Sequence, residues 1–384
     1  MIYADYNGSA PLNDDVKKFL IDRLENGPFA NPNTLHSLGS KIFSAMEKCR
    51  TITAKALGAS PEQIIYNSGA SEGITTIFHH ELDSREDERN VIIISSLEHS
   101  AVVNSAKYYE RKGYKLITIP AKVDGIVDLE VFKEVMKNEG QKVALVSLMA
   151  ANNETGVLQP IHEVTKICHS FGAKIFSDTT QFIGKSEFSF EESELDYAVL
   201  SGHKVGALIG IGLILVKNPI AFEPLIQGGG QERGFRGGTQ NYVGIETLAI
   251  ALHSFSQNKM KLKEVEIERK NFETKIKKDF KDVVIIGDSS PRLAGTTLIS
   301  FPGIHGQAVQ IELESQNIFV STSSACSDNE PASSRVLKSM GVSETVGRSV
   351  VRISFGLNNA KANYDSLYHS LVLAYNKLKK IQSF

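Results

Sequence analysis

Four short apolar runs decide the fold of this chain: VALVSL at 143–148, KIFS at 174–177, DYAVL at 196–200 and GLILV at 212–216. Each run has the length of a buried strand and is rich in aliphatic or β-branched residues. Between the first two, residues 161–171 repeat apolar side chains at helical spacing. Strands that alternate with helices predict a mostly parallel α/β sheet with helices on both faces.

Two further strand-like runs, IIY at 64–66 and VIIIS at 91–95, extend this pattern towards the N-terminus. The pattern changes after the glycine-rich stretch 228–238. Residues 242–281 have the period of one long helix, and from residue 283 onward short strand-like runs mix with helices. The sequence therefore predicts a large α/β domain followed by a smaller α+β domain.

The composition limits the kind of partner that the chain can bind. Its 384 residues include 42 Lys and Arg against 44 Asp and Glu, so no general field favours nucleic acid or an anionic membrane. No apolar run reaches the roughly 18 residues of a spanning helix, and the N-terminus lacks the pattern of a signal peptide. We therefore expect a cytoplasmic protein that acts on a small molecule.

Polar residues follow five of the predicted strands, where ligands bind in an open parallel sheet. These residues are Gly69-Ala70-Ser71-Glu72, His99, Asn152-Asn153-Glu154, Asp178 with Gln181, and Ser201-Gly202-His203-Lys204. Because the carboxyl ends of parallel strands meet at one edge of a sheet, we expect the five groups to converge.

Three of these groups together suit pyridoxal 5'-phosphate (PLP). This cofactor needs a lysine for a Schiff base, an acidic partner for its pyridine nitrogen and a cradle for its phosphate. Lys204, Asp178 and the helix start at 69–71 can supply them. Taken singly, each residue also has a structural interpretation: Asp178 could cap a helix, and His99 could be a structural histidine. GALIGIG at 206–212 is similar to a dinucleotide-binding loop, but its glycines precede the strand instead of following one.

The three cysteines form no CxxC pair, and no His, Cys or Asp cluster has metal-ligand spacing, so no metal site is expected. Cys49 and Cys168 lie on apolar helix faces and are interpreted as core residues. Cys326 lies in the polar stretch 321–334, which predicts an exposed loop. An unpaired thiol on such a loop is a candidate nucleophile.

Taken together, the motifs resemble one family, the cysteine desulfurases of the NifS and IscS type within the class V aminotransferase group. The matching segments span nearly the whole chain in the expected order: YADYNGSAPL, NPNTLHSLG, NSGASE, EHSAVV, ANNETGVLQPI, SDTTQ, SGHK, GGGQERGFRGGTQN, SSACS and VRISFG. The chain departs from the family after SGHK, where Ala207-Leu208-Ile209 replaces the usual Gly-Pro-Lys turn, and near the start, where it reads NGSA.

This resemblance implies a fold-type-I, PLP-dependent transferase that forms a homodimer. Residues 15–250 would make the large cofactor-binding domain. Residues 1–14 and 251–384 would make the small domain, which carries the cysteine loop at about 321–334.

The resemblance also assigns roles to individual residues. Cys326, Lys204 and His99 would be catalytic. Lys204 would bind the cofactor covalently, Asp178 would pair with the pyridine nitrogen, Gln181 would bond the ring hydroxyl and His99 would stack on the ring. The phosphate would be held by Ala70, Ser71, Ser201, His203 and, from the partner subunit, Thr239. Asn153 would contact the cofactor and, with Arg352, position the substrate, Arg352 by clamping the substrate carboxylate.

The implied reaction removes sulfur from L-cysteine, releases L-alanine and leaves a persulfide on Cys326. An acceptor protein, such as a scaffold of iron–sulfur cluster assembly or a thiolation enzyme, would then take the sulfur. Two alternatives stay open. One is another class V PLP enzyme (a selenocysteine lyase, transaminase or β-lyase) that does not need Cys326. The other is a non-catalytic sulfur-relay or binding protein.

Overall fold

The computed structural model describes residues 1–83, 88–322 and 333–381. The strands in these ranges are β1 (Ile2–Tyr3), β2 (Ile64–Asn67), β3 (Val91–Ser95), β4 (Lys115–Ile119), β5 (Val143–Ser147), β6 (Lys174–Asp178), β7 (Tyr197–Ser201), β8 (Gly212–Val216), β9 (Val284–Ile285), β10 (Thr296–Ser300), β11 (Ile318–Phe319) and β12 (Val350–Ser354).

The helices in the same ranges are α1 (Asp14–Asn26), α2 (Ser37–Leu57), α3 (Ala70–Asp83), α4 (Ser100–Arg111), α5 (Leu129–Glu139), α6 (Ile161–Ser170), α7 (Phe190–Ser193), α8 (Tyr242–Asn258), α9 (Lys261–Asp279), α10 (Gly306–Glu314), α11 (Arg335–Ser339), α12 (Glu344–Gly347) and α13 (Ala360–Ile381). In this part of the chain, none of them is long and apolar enough to cross a membrane.

The largest sheet has the strand order β2-β8-β7-β6-β5-β3-β4. Its neighbouring strands are parallel, except that β8 runs antiparallel to both β2 and β7. The predicted mostly parallel α/β sheet is therefore confirmed, and all six predicted strands belong to it.

Helices cover both faces of this sheet. Along β3, Val91 and Ile93 pack into one core, and Ile92 and Ile94 pack into the core on the opposite face. Helices α2, α5, α6 and α8 contribute side chains to the first core, whereas α3 and α4 contribute to the second. Because strands buried on both faces are apolar at successive positions, their runs were visible in the sequence.

Strand β4 is missing from the sequence prediction. It lies at the edge of the sheet, and its Lys115 and Thr118 side chains are exposed. Its sequence, KLITI, therefore lacks the continuous apolar run of the central strands.

The prediction of one long helix over residues 242–281 is wrong, because α8 ends at Asn258 and α9 begins at Lys261. α8 packs on α2 beside the large sheet, and α9 packs on α13 beside a second, antiparallel sheet of order β12-β10-β9. Both helices have a buried face, so the helical period continues in the sequence although the chain passes from one core to the other.

The N-terminus packs with the C-terminal part of the chain. β1 pairs in parallel with β11, and Ala4 lies in the same core as Ile353 and Phe355. Cys168 is fully buried in the core of the large sheet, and Cys49 is partly buried against it. The interpretation of these two thiols as core residues is confirmed.

Candidate active site

The start of α3 and the end of β7 lie side by side at one edge of the large sheet. Asn67 of β2 and Ser201 of β7 both pair with Gly212 of β8, which lies between them. A Cβ atom added to Gly69 would lie 3.4 Å from Ser201 Oγ, and one added to Gly212 would lie 2.5 Å from Gly69 Cα. Only a glycine at position 212 lets the backbone of residue 69 approach the sheet this closely.

Lys204 lies in the short 3-10 turn Gly202–Lys204 that directly follows β7. Its Nζ donates hydrogen bonds to the carbonyl oxygens of Asn7, at 2.7 Å, and Gly8, at 2.6 Å. The amine therefore lies where the large sheet meets the N-terminal segment.

Next to Lys204, the His203 ring nitrogen Nδ1 lies 3.2 Å from Ser9 Oγ. Burial and the neighbouring Lys204 lower the pKa of His203. The lowered pKa favours the neutral imidazole, which can offer a hydrogen bond without adding charge.

Asp178 is the last residue of β6, Gln181 lies three residues further along the chain, and both are buried. Asp178 Oδ1 accepts a hydrogen bond from the backbone N–H of Thr180 at 3.0 Å. Gln181 Nε2 donates to the carbonyl oxygen of Asn7 at 2.9 Å, and Gln181 Oε1 accepts from Lys185 Nζ at 2.5 Å. Sequence reasoning missed both Asn7 and Lys185, although Lys185 stands out as a cation in the mostly apolar segment QFIGK.

His99 is exposed and forms the N-cap of α4, since its side chain accepts a hydrogen bond from Ala101 N at 3.2 Å. The acceptor is Nδ1, which leaves Nε2 on the outer side of the ring. The structural and the functional interpretation of His99 are compatible because the cap uses one nitrogen and neither face of the ring.

Glu98 is fully buried directly before His99 and was not predicted as a site residue. Its carboxylate accepts hydrogen bonds from Ser95 Oγ and Met149 N, both at 2.7 Å. Burial raises the pKa of Glu98 to about 7, and the negative charge of Asp178 acts in the same direction. This carboxyl joins the ends of β3 and β5 behind the predicted cofactor site.

The predicted phosphate cradle consists of Ala70 and Ser71 in the first turn of α3, with Ser201 and His203 beside it. The first N–H groups of a helix have no partner within the helix, so this turn can bind an anion. Thr239 is exposed and lines a cavity of about 60 Å³ together with Asn67 and Ser68 of the same chain.

Arg352, on β12, points towards the edge of the large sheet. Its Nη2 donates to Asp5 Oδ1 at 2.7 Å, and its Nη1 donates to the carbonyl oxygen of Asn153 at 3.1 Å. Within the part of the chain that the structure describes, the buried Nε of Arg352 has no hydrogen-bond partner. The guanidinium thus has a donor left for a further acceptor.

Cys326 lies outside the described residues, but the chain on both sides of 323–332 is fixed at this site. On one side, the backbone of Ser321 exchanges two hydrogen bonds with that of Arg352. On the other side, Ser334 Oγ donates to Glu154 Oε2 at 2.6 Å. The Arg335 guanidinium contacts the carbonyl oxygens of Ser96 and Glu98.

The prediction of an exposed loop over 321–334 is wrong at both ends, because Ser321, Thr322, Ser333 and Ser334 are buried. Side-chain hydrogen bonds explain the polarity of two of them: Ser334 caps α11 and bonds Glu154, and Ser321 Oγ donates to the carbonyl oxygen of Thr322 at 3.3 Å. Ser333 is held by its backbone, whose N–H donates to Glu344 Oε1 at 2.9 Å, while its buried hydroxyl has no partner among the described residues. Polar composition alone does not distinguish such anchored residues from solvated ones.

These residues fit PLP. The site offers a lysine amine, a buried carboxylate and a helix start that a larger residue than Gly212 would block. It also holds a buried guanidinium nitrogen that lacks a partner among the described residues. Amine, carboxylate, anion cradle and spare cation are the groups that this cofactor and an amino-acid carboxylate require.

Comparison with known proteins agrees with this chemistry. A family model described as Aminotransferase class-V matches residues 2–367. The chain is 32% identical to cysteine desulfurase IscS of Rickettsia typhi, over 99% of this chain and 92% of that protein.

Two solved structures are similar over nearly their whole length. A NifS-like protein has a TM-score of 0.88 at 33% identity and covers 97% of this chain and 99% of its own. A NifS-like protein from Rickettsia africae has a TM-score of 0.85 at 32% identity and covers 98% and 99%.

The fold and the site thus define a PLP-dependent enzyme of the class V aminotransferase family. Within that family, the chain belongs to the cysteine desulfurases of the IscS and NifS type. The resemblance seen in the motifs is confirmed.

The buried carboxyl of Glu154 makes stability depend on pH. Burial raises its pKa to about 7, while Ser334 and Arg352 act in the opposite direction. The unfolded chain releases this proton near pH 4.5, so the contribution to stability is complete below pH 4.5 and is lost as the pH rises through 7. The full loss is roughly 3 kcal/mol.

We expect Glu154→Gln, which keeps an acceptor for Ser334, to lose less stability than the parent chain between pH 5 and pH 8. Urea midpoints at four pH values measure this difference. The exposed Glu25→Gln is the matched control and should follow the parent chain. Identical pH profiles for the parent chain and Glu154→Gln would contradict a buried, protonated Glu154.

Proposed function

We propose that this enzyme transfers the sulfur of L-cysteine to Cys326, releasing L-alanine. The observation that carries the proposal is the meeting of three elements at one edge of the sheet: the Lys204 amine, the Arg352 guanidinium and the two anchored ends of the segment that contains Cys326. A cofactor-binding lysine, a carboxylate clamp and a tethered thiol are what a desulfurase requires.

When bound, PLP acts as the electron acceptor that weakens the bonds next to the substrate's amino group. We propose that Lys204 holds it covalently, that Asp178 pairs with the pyridine nitrogen and that His99 lies on the ring. Gln181 and Asn153 would complete the ring contacts. The phosphate would be bound by Ala70, Ser71, Ser201, His203 and Thr239 of the partner subunit.

Arg352 would bind the α-carboxylate of the substrate. Its Nε lacks a partner among the described residues, and Asp5 occupies Nη2 from one side. A carboxylate that reaches Nε satisfies this buried donor, which offsets its desolvation. Lys204, once released from the cofactor, would take the α-proton, and His99 would exchange protons with the thiols.

The chemical balance needs no external oxidant or reductant. The carbon–sulfur bond of L-cysteine breaks, a sulfur–sulfur bond forms at Cys326 Sγ, and the thiol proton of Cys326 ends on the product L-alanine. The persulfide must then pass to an acceptor protein. We propose an acceptor in iron–sulfur cluster assembly or thiolation, which mass spectrometry of candidate acceptors after incubation with the loaded enzyme would identify.

We further propose a homodimer and two domains, one of residues 1–14 with 251–384 and one of residues 15–250. The boundary after residue 250 moves to the end of α8 at Asn258, because Ala251 and Leu252 lie in the core of the large sheet. The separate core that Ala4 shares with the C-terminal part supports the division. Large exposed apolar side chains concentrate between residues 21 and 43 and support the dimer: Ile21, Leu24, Phe29, Leu35, Leu38 and Phe43. The free thiols of Cys49 and Cys168 suit the reducing cytoplasm that we propose as the location.

The dimer proposal predicts that two negative charges among the exposed apolar residues between 21 and 43 convert the dimer into monomers. In Leu24→Glu/Leu35→Glu we expect sedimentation equilibrium to show monomers, because association would bury both carboxylates. Ile220→Glu/Met260→Glu changes two equally exposed apolar residues elsewhere and should remain dimeric. A monomeric parent chain, or a dimeric first variant, would exclude this surface.

The nucleophile proposal predicts that Cys326→Ser keeps the bound cofactor but lacks the attacking thiolate. Its rate of alanine formation from L-cysteine should fall by a factor of roughly 100 or more. Mass spectrometry should find one added sulfur atom on the Cys326 peptide of the parent enzyme. Cys49→Ser is the control, because burial raises the pKa of the Cys49 thiol to about 11 and keeps it protonated. Unchanged turnover in Cys326→Ser would favour a lyase or transaminase.

A further inference from the structure

A second amine, Lys185, lies in the same hydrogen-bond network as Lys204 but has no role in the function proposed above. Its Nζ donates to Gln181 Oε1 at 2.5 Å, to Asn7 Oδ1 at 2.9 Å and to the carbonyl oxygen of Tyr6 at 3.4 Å. It approaches from the turn after β6, four residues beyond Gln181. Burying a lysine amine costs desolvation free energy unless its N–H donors have acceptors, and here they have them.

The contact with Lys185 fixes the orientation of the Gln181 amide. An amide flip would turn the Nε2–H groups of Gln181 towards the ammonium group and would remove the bond from Lys185 Nζ to Oε1. The observed orientation also lets Nε2 donate to the carbonyl oxygen of Asn7 at 2.9 Å. Gln181 therefore has a second N–H to offer a ligand, while its oxygen is occupied.

Lys185 acts in the same way on the Asn7 side chain. Asn7 Oδ1 accepts from Lys185, and Asn7 Nδ2 donates to the carbonyl oxygen of Asn153 at 3.2 Å and to Thr296 Oγ1 at 3.1 Å. One amine thus determines which ends of two buried amides donate.

The charges around Lys185 are mostly positive. Burial lowers its pKa well below the usual range, Lys204 and Arg352 act in the same direction, and Asp5 opposes them. Burial, Lys204 and Lys185 also lower the pKa of His203, which favours its uncharged form. The ammonium form has three N–H donors for the three oxygens that face it, whereas the neutral amine keeps two N–H donors and gains a lone pair. The two shorter contacts, to Gln181 Oε1 and Asn7 Oδ1, can therefore be kept in either form.

We propose that Lys185 is a positioning residue that holds Gln181 so that it only donates, and never accepts, at the ring oxygen of the cofactor. This inference rests on the proposed function, because Gln181 is assigned to that oxygen there. A fixed donor draws negative charge from the ring oxygen. It therefore lowers the basicity of the nitrogen that joins Lys204 to the cofactor.

The test follows the visible absorbance of the cofactor-loaded enzyme as the pH is varied, without substrate. In Lys185→Met we expect the midpoint of the absorbance change to rise by roughly half to one pH unit, the value of one neutral hydrogen bond. Lys185→Arg, which retains a donor to Gln181 Oε1, should shift it by less than half of that amount. Lys166→Met, at an exposed position on α6, should leave the midpoint unchanged.

A double-mutant cycle separates an effect through Gln181 from a direct effect of charge or a packing defect. If Lys185 acts through Gln181, then Lys185→Met should add little further shift in a Gln181→Ala background. An equal shift in both backgrounds would overturn the proposal. If Lys185→Met does not fold, Lys185→Leu, which also lacks an N–H donor, carries the same cycle.

The outcomes distinguish this inference from the proposed function. If the parent chain binds PLP and desulfurates L-cysteine but Lys185→Met shifts nothing, only the role of Lys185 fails. If the parent chain binds no PLP, the proposed function fails first.

Discussion

The position of Asn7 is the constraint on which the site depends. This buried residue belongs to the N-terminal segment, yet it connects both sheets. Its backbone and side chain bond to the small sheet and to the edge of the large one through Ser354 Oγ, Thr296 Oγ1, the Asn153 carbonyl, Gln181 Nε2, Lys185 Nζ and Lys204 Nζ. Buried polar groups need hydrogen-bond partners. The two parts of the chain therefore cannot separate without breaking these hydrogen bonds. The next residue, Gly8, leaves room for Asp5, whose carboxylate a Cβ atom would meet at 2.2 Å, and Asp5 in turn binds Arg352.

Two buried residues behind the site, Glu154 and Glu98, extend this coupling to the residues that follow the cysteine-bearing stretch. Glu154 binds Ser334, and the backbone oxygen of Glu98 accepts from Arg335. Burial raises the pKa of both carboxyls to about 7. Ser321 is thus held beside Arg352, and Arg335 is held at Glu98, next to His99. Residues that border the proposed cofactor site therefore hold the chain on both sides of the cysteine-bearing stretch.

The sequence predicted the parts of the fold and site that follow from local pattern. Buried strands show as apolar runs, and the polar residues at their ends converge because the topology of a parallel sheet requires it. The edge strand β4 gave no such signal because it is partly exposed to solvent. The break between α8 and α9 gave none because both helices have a buried face. Asn7 and Lys185 could not be found in this way because their importance arises from contacts between segments distant in the chain. The unusual turn at Ala207-Leu208-Ile209 is accommodated, since Gly206 and Gly210 on either side adopt the positive φ angles of 85° and 80° and Ala207 is buried.

The central claim is that one amine at the edge of the sheet carries the cofactor while its neighbour orients the ring contacts. Reduction of the loaded enzyme with borohydride, followed by digestion and mass spectrometry, tests this directly because reduction makes the bond between lysine and cofactor permanent. The account predicts pyridoxyl phosphate on the peptide that contains Lys204. Attachment at Lys185, or no attached cofactor, would contradict it.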